Sequence, residues 1–151
     1  MAVQTTCRHR SCRPTIMPDA SPLDPPARVL LAEDDADLRA TLHAVLEEHG
    51  YEVLAAGNGS ETLAILSGVA RHALPRPHVI VSDIRMPGLD GLDLLRAVRL
   101  AEWTTPVVLM TAFPDLRIRE RASWLGAFAL LEKPLGLARL LDVVAAALLR
   151  D

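Results

Sequence analysis

The sequence predicts one α/β domain, a flavodoxin-like (βα)5 fold with a doubly wound parallel sheet, and three observations carry that prediction. Short apolar runs alternate five times with stretches of helical period, the pattern of consecutive βαβ units with right-handed crossovers. The core must be aliphatic, because 50% of the 151 residues are hydrophobic but only 3% are aromatic, a palette suited to helices packed on buried parallel strands. A chain of this length also fits a single domain that buries roughly two thirds of its unfolded surface, so neither a disulfide nor a metal is needed to hold it.

The elements are read in chain order. Residues 1–27 are expected to form a disordered, Pro-rich leader: Pro14, Pro18, Pro22, Pro25 and Pro26 stand among Ser, Thr, Asp and Arg without periodicity, too polar to offset their ordering entropy. Met17, ten residues before the folded part, is a candidate alternative start of translation. Cys7, His9 and Cys12 fall short of the four ligands of a structural zinc site. The folded domain is expected over 28–151. Val29-Leu30-Leu31-Ala32 reads as the first strand, and Leu38, Leu42, Val45 and Leu46 recur at helical spacing until Gly50. Tyr51–Ala56 is a second strand, with a helix marked by Leu63, Leu66 and Val69 after the Gly57-Asn58-Gly59 turn. Val79–Asp83 is the third strand, and Leu92, Leu95, Val98 and Leu100 ride the next helix. Pro106–Met110 is the fourth strand, followed by a helix from Asp115 that Gly126 stops; Phe128–Leu131 is the fifth, followed by a last helix over Gly136–Arg150.

In such a sheet, ligands bind at the carboxyl ends of the strands, where the order 2-1-3-4-5 reverses between strands one and three. Those ends carry Glu33-Asp34-Asp35, then Asp83, then Thr111-Ala112, then Glu132-Lys133-Pro134. Asp83 alone reads equally well as a turn cap, and acids at 33–35 suit a helix N-terminus. Those readings leave unexplained why an acid, a hydroxyl and a lysine hold the other productive strand ends. Adjacent strands lie ~5 Å apart, so the acids crowd together, and clustered carboxylates beside phosphate-binding groups describe a hard-cation site for which Mg²⁺ is the usual occupant. Thr111 can donate a hydrogen bond to a phosphoryl oxygen, and Lys133 supplies a compact positive charge.

Glu33-Asp34, Ser82-Asp83-Ile84-Arg85-Met86-Pro87 with Gly91, Thr111-Ala112 and Lys133-Pro134, in that order and each at its own strand end, make the chain resemble a receiver domain of bacterial two-component response regulators from about Arg28 to Asp151. The resemblance implies that Asp83 accepts a phosphoryl group from the phosphohistidine of a sensor histidine kinase or phosphotransfer protein. It implies Mg²⁺ held by Asp34, Asp83 and the main-chain carbonyl of Arg85, with Glu33 acting mostly through water. It also implies that Thr111 moves toward the phosphoryl group, and that Lys133-Pro134 is joined by a cis peptide.

Two departures stand out. Leu130 replaces the aromatic residue that receivers carry three positions before the lysine, so the threonine-aromatic switch is altered. Phe113, two residues after Thr111, is bulky enough to shade the phosphoryl group from water and, with Arg85, to tune dephosphorylation. A phosphohydrolase is the competing reading, disfavoured because such enzymes place a second aspartate where Arg85 stands; a phosphorylation-independent interaction module is a third.

With the chain stopping at Asp151, a single-domain regulator is expected, signalling through its fourth helix, fifth strand and last helix to a dimer mate or downstream protein. Trp124 belongs to that surface, and the last helix has more apolar positions than one stripe requires. A net charge of -3 argues against nucleic acid and anionic membranes as partners. No apolar run reaches the roughly 20 residues that span a bilayer, so a cytoplasmic location is expected.

Overall fold

Alternation along each buried strand sends successive side chains to opposite faces of the sheet, and both faces are covered. The computed structural model describes residues 25–149. Its elements are β1 (Arg28–Ala32), α1 (Ala36–Glu48), β2 (Glu52–Ala56), α2 (Gly59–Ala70), β3 (Val79–Asp83), α3 (Gly91–Leu100), β4 (Val107–Thr111), α4 (Leu116–Trp124), β5 (Ala129–Glu132) and α5 (Leu137–Leu149). All four strand pairings are parallel, in the order β2-β1-β3-β4-β5. Val29, Leu31, Val81, Val108 and Met110 pack with Leu42 and Leu46 of α1 and Leu140 and Val144 of α5. Leu30, Ile80 and Leu109 pack on the other face with Leu94, Leu95 and Ala122. This two-sided burial explains why the central strands read as unbroken apolar runs.

Side-chain caps start four of the helices. Asp35, Asn58, Asp90 and Asp115 each accept a bond from a backbone N–H of the first turn, satisfying donors that the helix cannot. Gly50 and Gly126 follow α1 and α4 at φ of 91° and 87°, the left-handed conformation that favours glycine at a helix end.

Several boundaries differ from the sequence reading. Tyr51 closes the turn after α1, its N–H donating to Leu46 O at 3.2 Å, and joins no strand. Pro106 and Phe128 flank β4 and β5 while bonding to the neighbouring strand, through Ile80 N of β3 to Pro106 O (3.0 Å) and Phe128 N to Val107 O of β4 (2.8 Å). Leu100, placed two residues beyond Val98, lies about 200° round the helix from it and is 74% exposed. Leu63 is 47% exposed, because α2 approaches the sheet through Gly59, Thr62, Gly68 and Val69 instead. Along α5 the excess apolar positions largely go inward: Leu140, Val143, Val144 and Ala147 are buried, and Leu149 is the most exposed leucine among the described residues. Most of the expected leader, including Cys7, His9, Cys12 and Met17, lies outside the described residues, as do Arg150 and Asp151.

The turn after β3 is held against that strand. Gly91 N donates to Ile84 O at 2.9 Å, and a Cβ on Gly91 would stand 2.5 Å from Asp83 O and 3.0 Å from Ile84 Cα. Backbone cannot yield as a flexible side chain can. Gly91→Ala is therefore expected to destabilise the fold by about 1–3 kcal/mol, the scale of overpacking, as read from the midpoint of urea unfolding.

Candidate functional site

The strand register brings the polar strand ends to one edge. Ala32 pairs with Ser82, Asp83 with Met110, and Thr111 with Glu132, so the residues just past β1, at the end of β3 and just past β5 converge. Glu33 is fully buried and Asp83 is 5% exposed, whereas Asp34 is open to solvent. Lys133 reaches between the buried pair: its Nζ donates to Glu33 Oε1 at 3.0 Å and to Asp83 Oδ2 at 3.1 Å. The other oxygen of Glu33 accepts from Asp35 N at 3.0 Å, and Asp83 Oδ1 takes a longer contact from Arg85 N at 3.4 Å.

One ammonium therefore serves two carboxylates, and the titration of all three groups follows from that. Burial pushes the Asp83 carboxyl above its usual range, with Lys133 only partly opposing it and Asp34 adding to the rise. Burial likewise raises Glu33, against the Asp35 N–H and Lys133. For Lys133, burial acts to lower its value, but the hydrogen bonds to Glu33 and Asp83 prevail and it rises. The carboxyls are thus strained as anions. A folded value above the unfolded one means that their contribution to stability is complete below the unfolded value and lost as pH rises through the folded one.

Oxygens of Glu33, Asp34 and Asp83 lie within 4.8 Å of one another, a hard donor set with more negative charge than one lysine can offset. These residues fit a divalent cation. Arg85 is exposed beside them, its guanidinium 5.1 Å from the centre of the Phe113 ring. Thr111 is buried and its Oγ1 accepts from Phe113 N at 3.1 Å, leaving the hydroxyl proton free to be donated. Ala112 is exposed between them, and the Lys133-Pro134 peptide is cis. An open cleft of about 620 Å³ runs from Asp34 past Arg85 and Asp90 toward α4.

Every residue singled out in the sequence at β1, β3 and β5 for the acid-lysine cluster is thus brought together. Leu130 stands apart, packed with the core on the α2–α4 side of the sheet and paired with Leu109. Two further residues support Glu33, of which only Arg39 escaped the reading. Asp35 both caps α1 and orients Glu33, and Arg39 Nη1 donates to Glu33 O at 2.8 Å. The cap signal of Asp35 was visible, whereas the reach of Arg39 back to the strand end depends on how α1 packs.

A sequence profile of the response regulator receiver domain matches residues 29–145. The chain belongs to the response regulator receiver family. Transcriptional regulatory protein PdtaR of Mycobacterium tuberculosis is 35% identical over 126 residues, which cover 83% of this chain and 58% of that protein. Sporulation initiation phosphotransferase F of Bacillus subtilis is 27% identical over 117 residues, 78% of this chain and 90% of its own. Among solved structures, the receiver domain of the Francisella response regulator 1452 superposes with a TM-score of 0.74 at 28% identity, covering 82% of this chain and 98% of that one. The receiver is a signalling domain of the two-component type, with the strand order of its relatives. No helix among the described residues is long and apolar enough to cross a membrane.

The strain at Asp83 has a measurable consequence for this receiver. In metal-free buffer near neutral pH, Asp83→Asn removes a buried charge while Lys133 keeps Glu33, so the melting temperature is expected to rise by ~2–4 °C, the shift that about 1 kcal/mol produces in a domain of this size. The gain should shrink as the pH is lowered and the native carboxyl protonates.

Proposed function

We propose that this receiver accepts a phosphoryl group on Asp83 from the phosphohistidine of a sensor histidine kinase or phosphotransfer protein in the cytoplasm, with Mg²⁺ as cofactor. The single observation that carries the reading is Lys133 Nζ held 3.0 Å from Glu33 and 3.1 Å from Asp83 at the sheet edge, next to an open cleft lined by Asp34 and Arg85. Asp34, Asp83 and the Arg85 carbonyl are the ligands we assign to the cation, with Glu33 acting through water, and bound Mg²⁺ would offset charge on the phosphoryl oxygens.

An Asp83 carboxylate oxygen attacks phosphorus in line, the P–N bond to the donor imidazole breaks, and the imidazole leaves with a proton from solvent. The product is an acyl phosphate. Lys133, already directed at Oδ2, transfers its attraction to a phosphoryl oxygen, and the Thr111 hydroxyl donates to another. Ala112, small and exposed, leaves the approach open, while Lys133-Pro134 sets the backbone that carries the ammonium. Phosphorylation adds about -1.5 to -2 charge and three acceptor oxygens, enough to redraw these hydrogen bonds. The altered contacts pass to the α4–β5–α5 surface, with Leu130 in place of an aromatic, and there meet a dimer mate or a downstream protein. Phe113 and Arg85, stacked at the mouth of the site, slow the return of water to the acyl phosphate.

Phosphate-affinity electrophoresis after incubation with acetyl phosphate and Mg²⁺ tests the reading. A shifted band is expected for the native chain and none for Asp83→Asn or in EDTA; no band for the native chain favours an interaction module, and continuous release of phosphate favours a hydrolase. Lys133→Ala should slow phosphorylation by about 10²-fold, the scale of losing one fixed electrostatic donor. Phe113→Ala should shorten the lifetime of the band severalfold, and an unchanged lifetime would remove the shading role.

A further inference from the structure

We propose that the ridge formed by α3 and α4 is a docking surface for an acidic segment of a partner protein bearing an apolar anchor side chain. The inference rests on the receiver reading and deepens it by naming the chemistry of what reads the domain.

Helix α4 spends three of its nine positions on Arg117, Arg119 and Arg121, with Glu120 its lone acid and no acid in the first turn. Arg117 opposes the positive helix N-terminus, and Arg117 and Arg121 are like charges four apart on one face. Both arrangements cost stability, against which, among the described residues, stand only the Asp115 cap and Glu120. Arg96, Arg117, Arg119 and Arg121 are exposed, and none of their side chains has an ion pair or hydrogen bond among the described residues. Several other arginines behave differently, Arg39 and Arg99 bonding to backbone carbonyls and Arg76 and Arg85 stacking on rings, while Arg71 and Arg139 are exposed singly elsewhere.

An anchor position accompanies the charge. Helical spacing aligns Trp124 with Arg117 and Arg121, and its side chain is 85% exposed. Arg96 of α3 faces this stripe across a cleft of about 220 Å³ lined also by Arg121, Trp124 and Leu125. Arginine and tryptophan are the residues most often found carrying binding energy at protein interfaces. The strip is short for a nucleic acid: α4 extends about 14 Å, and a duplex carries one charge per ~1.7 Å. The chain's net charge of -3 also works against a long polyanion, whereas a short acidic segment meets only the local arginines.

The test uses the full chain and a synthetic peptide of alternating Glu and Leu, followed through tryptophan emission, since Trp124 is exposed and Trp103 buried. The peptide should shift emission to shorter wavelength, bind more weakly as salt rises, and bind severalfold more weakly when its Leu residues are Ser. Arg96→Glu with Arg117→Glu should weaken binding by about tenfold or more, and Trp124→Ser should abolish the emission change. Arg117→Glu suits a helix N-terminus, so loss of fold is not expected. Phosphorylation of the double variant by acetyl phosphate checks its integrity. Equal binding by the double variant, no response to the acidic peptide, equal binding of a Lys-Leu peptide, or tighter binding of a single-stranded RNA oligomer would each overturn the proposal. Failure of native Asp83 to be phosphorylated would overturn the receiver mechanism separately, whatever the peptide does.

Discussion

A single ammonium shared between two buried carboxylates is the constraint on which the site depends. Lys133 approaches along the end of β5, Glu33 along the end of β1 and Asp83 along the end of β3, so these contacts tie β5 to the paired β1 and β3 across the intervening β4. The arrangement leaves the carboxyls raised by burial and Lys133 raised by its partners. A site under-neutralised in this way is poised for added positive charge, which relieves the repulsion between its carboxylates.

The surrounding fold keeps that geometry rigid with ordinary devices. Aliphatic layers on both faces fix the strands, and the aspartate and asparagine caps fix where helices leave the active edge. Asp35 does both jobs, capping α1 with its side chain and holding Glu33 with its N–H. Gly91 lets α3 begin against the end of β3, and Gly59 N bonds Pro87 O at 2.8 Å, bracing the loop that carries Arg85. Exposed groups on this scaffold then determine individuality: Phe113 with Arg85 at the mouth, and the arginines with Trp124 along α4.

Much of this was legible before any coordinates. Five strands and five helices follow from runs of Val, Leu and Ile set against helical spacing, because each strand buried on both faces must be apolar throughout. The site was legible because parallel topology sends all productive strand ends to one edge, so acids, threonine and lysine far apart in sequence could be placed together. Boundaries were less legible. Tyr51, Pro106 and Phe128 look like strand residues, yet their backbone groups are used in turns or flank the ladder. Leu63 and Leu100 look like core residues, yet α2 packs through glycine and threonine and α3 ends beyond its buried turn.

By itself the sequence determined the class of fold, the order of its elements and the residue types at the sheet edge where the acids and lysine meet, since these depend on periodicity and topology. Tertiary structure decided how the charges are shared. Nothing in the spacing of Glu33, Asp83 and Lys133 says that one ammonium lies within hydrogen-bond distance of both acids, or that Asp34 stays in solvent while Glu33 is fully buried. Burial and partner distance arise from packing between distant segments, and they, more than residue identity, set the energy of a charge.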